Sequence, residues 1–302
     1  MRRSALVLTL AVLALAVPAA ANAKPPARQY YISLGDSYAV GYQGNIGRTT
    51  LHGPANQLVK LAAQRGHRFT LVNYGCAGAT TKSMLTQRNC PADGRMPGAP
   101  AYPGKTQVQA AAAFMRAHPG TVGLVTISIG GNDIYTCIPT GKPIGCVAGR
   151  MPTLTANLKQ ILRQLRAAGG RRVQIIGSTY PDVVLGAWVR ADVFGENRFA
   201  LATQSLTAFR SYINPGLAGS YRSAGGQFVD VTAATGAYGP FVTTNAPTYG
   251  IVPVPVATVC RLTFFCSRLD IHMTTAGYGI IARLEANLLA PLRKPQPPRP
   301  TG

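Results

Sequence analysis

Short apolar segments that resemble buried strands recur along this chain and alternate with segments that resemble helices. The strand-like segments are rich in β-branched or aromatic residues and almost free of charge, as is typical of strands buried on both faces. They are residues 30–34, 69–73, 123–129, 173–178 and 228–231. The helix-like segments are residues 54–64, 106–117, 154–168, 198–222 and 274–289. This alternation predicts βαβ units, and therefore a single α/β domain in which helices cover both faces of a mostly parallel five-stranded sheet.

Three stretches show neither helical nor strand periodicity and are predicted to lack regular structure. They are residues 90–105, 136–150 and 233–267. The last is too long for an ordinary connection, so we expect a functional surface loop there. Within the helix-like residues 198–222, Asn214 and Pro215 mark a position at which the helix can break.

The two ends of the chain differ in composition from the rest. Arg2 and Arg3 precede an apolar run over residues 5–17, and small residues follow up to Ala23, which is the pattern of a secretory signal peptide. The apolar run is shorter than the roughly 18 to 20 residues that span a bilayer, which disfavours the alternative of a retained anchor. We therefore predict a signal peptide over residues 1–23, one domain over 24–293 and a disordered, Pro-rich basic tail over 294–302. The protein is expected to be secreted.

The charge balance is strongly basic, with 30 Lys and Arg against 9 Asp and Glu, for a net charge of +21. Hydrophobic residues make up 47% of the chain, which excludes intrinsic disorder. The basic excess favours peripheral contact with anionic membranes or cell-wall material. Because the Lys and Arg residues are spread along the chain and no basic motif interleaved with aromatic residues occurs, we expect no nucleic-acid partner.

Six cysteines in an exported chain indicate disulfide bonds. They form three couples that are local in sequence, and the simplest of the 15 possible pairings joins each couple. These pairs are Cys76–Cys90, Cys137–Cys146 and Cys260–Cys266. Metal binding is the alternative, but no C-x-x-C or H-x-x-x-H spacing occurs and the four histidines are scattered. We expect no metal and no cofactor.

Candidate reactive residues follow the predicted strands, where the carboxyl ends of parallel strands meet at one edge of the sheet. Ser37 follows the first strand, on a turn that can lift its hydroxyl above that edge. Gly78 follows the second strand and Asn132 the third, where a backbone N–H and a side-chain amide can stabilise an oxyanion. His272 precedes the last helix, with Asp270 two residues earlier, and can accept the Ser37 proton. Taken singly, each motif also fits an ordinary turn or helix cap.

The order Ser, Gly, Asn, His resembles the SGNH (GDSL) hydrolase superfamily. The first block is Gly35-Asp36-Ser37 with Gly41 four residues after the serine, and Gly131-Asn132-Asp133 reproduces the third block. The resemblance extends over roughly residues 30–290 and includes the three local cysteine couples, which are similar to those of secreted actinobacterial lipases and esterases. It implies a flavodoxin-like α/β/α sandwich for the predicted domain over residues 24–293.

The same resemblance implies residue roles. Ser37 is the expected nucleophile and His272 the expected base, with an oxyanion hole formed by the backbone N–H groups of Ser37 and Gly78 and the side chain of Asn132. The final family block usually reads Asp-x-x-His-Pro, whereas this chain has Leu269 three residues before His272. Either the Leu269 carbonyl or Asp270 is therefore expected to orient the histidine.

The resemblance implies a monomeric lipase or esterase that cleaves acyl esters. A phospholipase or a carbohydrate acetylesterase of the same fold is the alternative within this class. A secreted wall-binding protein that has lost turnover is the alternative outside it, although a silent protein has no need to retain all four residues.

Overall fold

A computed structural model describes residues 28–138 and 142–291. Its centre is a five-stranded sheet in the order β2-β1-β3-β4-β5, and every neighbouring pair is parallel. The strands are β1 (Gln29–Gly35), β2 (Phe69–Asn73), β3 (Val122–Ser128), β4 (Gln174–Ser178) and β5 (Gln227–Val229). The prediction of an α/β fold with a parallel central sheet is confirmed, and the strand order is that of flavodoxin-like folds. The predicted signal peptide and basic tail lie outside the described residues.

Helices cover both faces of the sheet. The α-helices of the described chain are α1 (Pro54–Gln64), α2 (Thr81–Thr86), α3 (Gln107–Ala117), α4 (Gly131–Ile134), α5 (Pro143–Gly169), α6 (Ala191–Phe194), α7 (Arg198–Ala208), α8 (Asn214–Ser223), α9 (Val231–Ala234), α10 (Val254–Leu262), α11 (Phe265–Arg268) and α12 (Thr275–Asn287). Helices α1 and α12 pack against each other, whereas α5 packs against α3 and α8, so that two helical layers enclose the strands. Within the described residues, no helix is long and apolar enough to cross a bilayer.

One buried apolar cluster extends from the sheet into the helices. Helix α5 contributes to it because its apolar residues recur on one face. Leu158, Ile161, Leu162 and Leu165 of α5 recur at intervals of three and four residues and are almost completely buried.

Helix α3 begins where Thr106 and Gln109 form a reciprocal capping box, which satisfies backbone N–H groups that the first turn leaves unpaired.

The helix-like residues 198–222 do not break at Asn214 and Pro215, where the sequence predicted that a break can occur. Helix α7 runs through a π-helical turn at Phe209–Ile213 directly into α8, which begins at Asn214. Pro215 has no N–H to continue the hydrogen-bond ladder, and it directly follows the π-helical turn. The helix therefore widens at this position instead of breaking.

Two of the stretches predicted to lack structure contain regular elements. Helix α5 begins at Pro143, eleven residues before the predicted start, and continues through Pro152. The stretch over residues 233–267 holds α10, α11 and an antiparallel hairpin of β6 (Thr243–Ala246) and β7 (Gly250–Pro253). The short helices α10 and α11 and the hairpin owe their stability to tertiary packing rather than to local sequence preference, so sequence periodicity does not indicate them.

Three disulfides join neighbouring parts of the chain. They link Cys76 to Cys90, Cys137 to Cys146 and Cys260 to Cys266. These are the pairs suggested by sequence locality. The first fixes the segment after β2, the second ties the chain before α5 to its first turn, and the third joins α10 to α11.

Candidate active site

Ser37, His272 and Asp270 form one hydrogen-bonded chain at the carboxyl edge of the sheet. His272 Nε2 lies 2.8 Å from Ser37 Oγ, and His272 Nδ1 lies 2.8 Å from Asp270 Oδ1. All three side chains are buried or partly buried. This is the arrangement in which a histidine accepts the proton of a serine nucleophile while a carboxylate fixes its tautomer.

A tight turn after β1 presents Ser37 to the histidine. The Asp36 carboxylate accepts a 3.0 Å hydrogen bond from the Tyr38 N–H, and the Ser37 carbonyl accepts one of 2.9 Å from the Tyr42 N–H. Gly35 has a φ of 132°, and a Cβ at this position would overlap the Ser128 carbonyl of the neighbouring strand. The chain therefore requires glycine where β1 enters the turn.

The segment between α11 and α12 positions His272. Leu269 has a left-handed φ of 56°, which bends the chain after α11. The Tyr38 hydroxyl donates a 2.5 Å hydrogen bond to the Ile271 carbonyl, and the Phe264 N–H donates one of 3.0 Å to the His272 carbonyl. The residue after Ser37 thus holds the main chain between Asp270 and His272, and connects two parts of the site that are far apart in sequence.

Asp270, rather than the Leu269 carbonyl, contacts the histidine ring in this structure. Its Oδ1 also accepts the backbone N–H of His272 at 2.8 Å. Partial burial alone would raise the pKa of Asp270, but the hydrogen bonds and charge of His272 outweigh that effect and lower its pKa below the ordinary value. The carboxylate is therefore ionised at neutral pH.

Gly78 and Asn132 follow the two strands that flank β1 in the sheet. The Asn132 side chain donates a 2.9 Å hydrogen bond to the Ala79 carbonyl, which orients its amide and leaves a second N–H on the same nitrogen. Within the described part of the chain, the backbone N–H groups of Ser37 and Gly78 donate to no other group. These donors are therefore available for a substrate oxygen.

A cavity opens at Ser37 and Asn132 and is lined mainly by apolar side chains. Its walls come from the chain around Ile134, from the start of α5, from the 3₁₀ turn at Val183–Val189, and from α7 with the π-helical turn that follows it. Tyr38 and Tyr135 line it as well. Sequence reasoning missed most of these wall residues, because they come from segments that meet only in the folded chain.

The aspartates of the first and third blocks bind neighbouring protein groups. Asp133 accepts hydrogen bonds from the N–H and hydroxyl of Thr81, at 2.9 and 2.5 Å, and so ties α4 to the start of α2. Burial raises the pKa of Asp36 to about 6, although hydrogen bonds from the Tyr180 hydroxyl at 2.5 Å and from the Tyr38 N–H favour its charged form. Both carboxylates have structural partners, as expected of turn and cap residues.

The three remaining histidines have other environments. His52 is exposed, His67 stacks on Phe69, and His118 stacks on Phe114 at the end of α3. Among the residues described, no three His, Cys, Asp or Glu side chains are grouped in a way that would hold a metal ion.

A family model described as the GDSL-like lipase/acylhydrolase family matches residues 33–280. The chain belongs to this family. The resemblance stated from the sequence blocks is thereby confirmed, and the matched region contains Ser37, Gly78, Asn132 and His272. No curated protein matches the chain.

Two solved structures are similar to this GDSL-family chain at low sequence identity. A phospholipase A1 from Streptomyces albidoflavus is 20% identical with a TM-score of 0.50, and the match covers 87% of this chain and 100% of the other. An extracellular lipase from Streptomyces rimosus is 19% identical with a TM-score of 0.49, again covering 87% of this chain and 100% of the other.

Proposed function

We propose that this GDSL-family protein is a secreted serine hydrolase that cleaves carboxylic esters of acyl chains through an acyl-enzyme. The observation that carries the proposal is the hydrogen-bonded chain from Ser37 through His272 to Asp270, which borders an apolar cavity. A hydroxyl, a base and an orienting carboxylate beside a cavity suited to acyl chains are the components that ester hydrolysis requires.

In the proposed first half-reaction, Ser37 Oγ attacks the ester carbonyl and His272 Nε2 accepts its proton. The oxyanion of the tetrahedral intermediate accepts hydrogen bonds from the N–H groups of Ser37 and Gly78 and from the Asn132 amide. The ionised Asp270 stabilises the imidazolium that forms. His272 then protonates the leaving alcohol, and the acyl group remains on Ser37. In the second half-reaction His272 takes a proton from water as the water oxygen attacks the acyl carbonyl. His272 then gives this proton to Ser37 Oγ as the bond between Oγ and the acyl group breaks, and the carboxylic acid leaves.

The lining of the cavity favours acyl chains longer than acetyl. Val147, Val183, Val184, Leu201 and Ile213 extend the apolar wall well beyond the residues next to Ser37, which suits a hydrocarbon chain, whereas an acetyl group would leave most of this wall without a contact. This supports a lipase or esterase, and the same cavity suits a phospholipid acyl chain. One structural neighbour is named as a phospholipase A1.

Secretion and surface contact belong to the same proposal. The signal-like residues 1–23 and three disulfides support export, after which residues 24–293 act as one monomeric hydrolase domain followed by the tail at 294–302. The net charge of +19 that remains without residues 1–23 (28 Lys and Arg against 9 Asp and Glu) supports peripheral contact with an anionic membrane or wall surface.

A panel of p-nitrophenyl esters from acetate to palmitate, together with phospholipid and acetylated xylan, tests the function. We expect hydrolysis of the longer acyl esters, and complete loss with Ser37→Ala. Activity confined to acetyl esters and acetylated xylan would instead identify a carbohydrate acetylesterase. If the wild-type protein cleaves none of these substrates, the catalytically silent binding protein becomes the better account.

A further inference from the structure

A group of apolar side chains lies exposed on the surface beside the cavity wall. Phe199, Phe241, Val242 and Val254 are 37, 37, 59 and 40% exposed. The Trp188 ring joins them, with its centroid 4.6 Å from that of Phe199 and 5.8 Å from that of Phe241. The Val254 N–H donates a 2.9 Å hydrogen bond to the Val242 carbonyl, so these two valines lie opposite each other. We name these five residues the Trp188 patch.

The Trp188 patch shares two elements with the cavity of the proposed active site. Trp188 belongs to the 3₁₀ turn whose Val183 and Val184 line the cavity, and Phe199 belongs to α7, whose Leu201 lines it as well. A surface that binds the Trp188 patch is therefore held beside the wall of the cavity.

Near the Trp188 patch in sequence, the described residues expose no acid without a basic partner that would repel an anionic surface. Residues 231–260, which include the hairpin, have no charged side chain. Two acids lie within the ten residues before Phe199, and both are paired: Asp192 with Arg190 at 2.6 Å and Glu196 with Arg198 at 3.2 Å. The Arg198 guanidinium also lies 4.1 Å from the centroid of the Phe199 ring.

We propose that the Trp188 patch docks on an anionic phospholipid surface and holds the acyl cavity there. The proposal rests on the proposed ester hydrolysis, because that reaction gives the surface a substrate to deliver. Exposed aromatic and aliphatic side chains insert favourably between headgroups and acyl chains. Without residues 1–23, which contain Arg2, Arg3 and no acid, 28 Lys and Arg stand against 9 Asp and Glu, and the resulting charge of +19 adds long-range attraction to anionic lipid.

Partition to vesicles tests the docking directly. Every protein in this experiment carries Ser37→Ala, so that no lipid is cleaved during sedimentation with vesicles of phosphatidylcholine containing phosphatidylglycerol. Adding Phe241→Ser and Val242→Ser is expected to lower partition about tenfold, because the exposed parts of the two side chains together correspond to roughly one large apolar side chain, whose burial changes an equilibrium by about that factor. Vesicles without phosphatidylglycerol, or high salt, are expected to bind the unsubstituted patch more weakly.

Ile251→Ser is the matched control. Ile251 is 70% exposed, and the hairpin register pairs it with Asn245, so it faces away from the side on which Val252 is buried. We expect the protein with Ile251→Ser to bind vesicles nearly as well as the protein without it. If Ile251→Ser and the double variant reduced vesicle binding equally, or if the double variant did not reduce it, the assignment to the Trp188 patch would be overturned.

Two further measurements separate this docking from other accounts. With Ser37 intact, the double variant is expected to cleave soluble p-nitrophenyl butyrate at the wild-type rate and phospholipid vesicles more slowly. A wild-type protein that binds vesicles but cleaves no ester would refute the proposed function and leave the docking standing. A concentration-dependent dimer that the double variant abolishes, without vesicle binding by the wild type, would assign the patch to a second copy and overturn the proposal.

Discussion

Glu285 places a carboxyl group in the core, and its replacement should change how stability depends on pH. The side chain lies on α12 and is 2% exposed, and its Oε2 has no hydrogen-bond partner among the described residues. Burial raises its pKa from 4.5 to about 8. The folded protein therefore keeps a proton on Glu285 at neutral pH that the unfolded chain has lost.

The sign and size of the effect follow from this difference. Because the folded state binds the extra proton, stability falls as pH rises from 4.5 to about 8, by about 1.4 kcal/mol per pH unit. At pH 7, Glu285 therefore lowers the free energy of unfolding by about 3 kcal/mol relative to its value in acid. Glu285→Gln replaces the neutral acid with an amide that does not titrate, and should remove this contribution.

Urea unfolding at several pH values measures the effect through the fluorescence of Trp188, the chain's one tryptophan. Between pH 5 and pH 7, the free energy of unfolding should fall less steeply with pH for Glu285→Gln than for the wild type. The two slopes should differ by about 1.4 kcal/mol per pH unit. Asp36 and Asp182, whose pKa values burial raises to about 6 and about 7, contribute equally to both proteins. Glu196→Gln, at a side chain that is 94% exposed, is the control and should follow the wild type. If the free energy of unfolding changed with pH by the same amount in Glu285→Gln and in the wild type, the reasoning would be refuted.

Three further substitutions probe the proposed catalytic chain through steady-state kinetics. Asp270→Ala should lower kcat roughly 10³- to 10⁴-fold, close to the effect of His272→Ala, because Asp270 orients the ring; a mild loss would favour orientation by a backbone carbonyl. Asn132→Ala should lower kcat by about 10²- to 10³-fold with little change in KM, whereas a change in KM alone would argue against an oxyanion donor. Gly44→Ala should approach Asp270→Ala, because the new Cβ would occupy the space of the Asp270 carboxylate. Gly219→Ala, which meets open space, is its control, and equal activity of both variants would contradict this packing argument.

The sequence predicted the sheet because its strands are buried on both faces, where continuous apolar runs are distinctive. The hairpin over residues 243–253 was missed, because its two strands, Thr-Thr-Asn-Ala and Gly-Ile-Val-Pro, are short and show no clear alternation of apolar and polar residues. It packs through Val252 and Ala246 against Trp188. The early start of α5 was missed for a similar reason. Two prolines, Pro143 and Pro152, obscure a helical pattern that tertiary packing enforces.

For the candidate site, the sequence indicated the reactive residues but not their surroundings. Ser37 and His272 stand out because each adjoins a predicted strand or helix end in a recognisable block. The contact between the Tyr38 hydroxyl and the Ile271 carbonyl, and the wall that α7 gives the cavity, depend on how distant segments pack. Local sequence contains no signal for such contacts.

The central claim is that Ser37 is a nucleophile activated by His272, and covalent trapping tests it most directly. The wild-type protein would be incubated with a p-nitrophenyl alkylphosphonate, in which attack by a serine Oγ forms a P–O bond and expels p-nitrophenolate. Mass spectrometry should find one adduct, located on the peptide that contains Ser37, with one equivalent of p-nitrophenolate released. The adduct should be absent in Ser37→Ala and form far more slowly in His272→Ala. An adduct on another residue, or unchanged labelling in His272→Ala, would contradict the account.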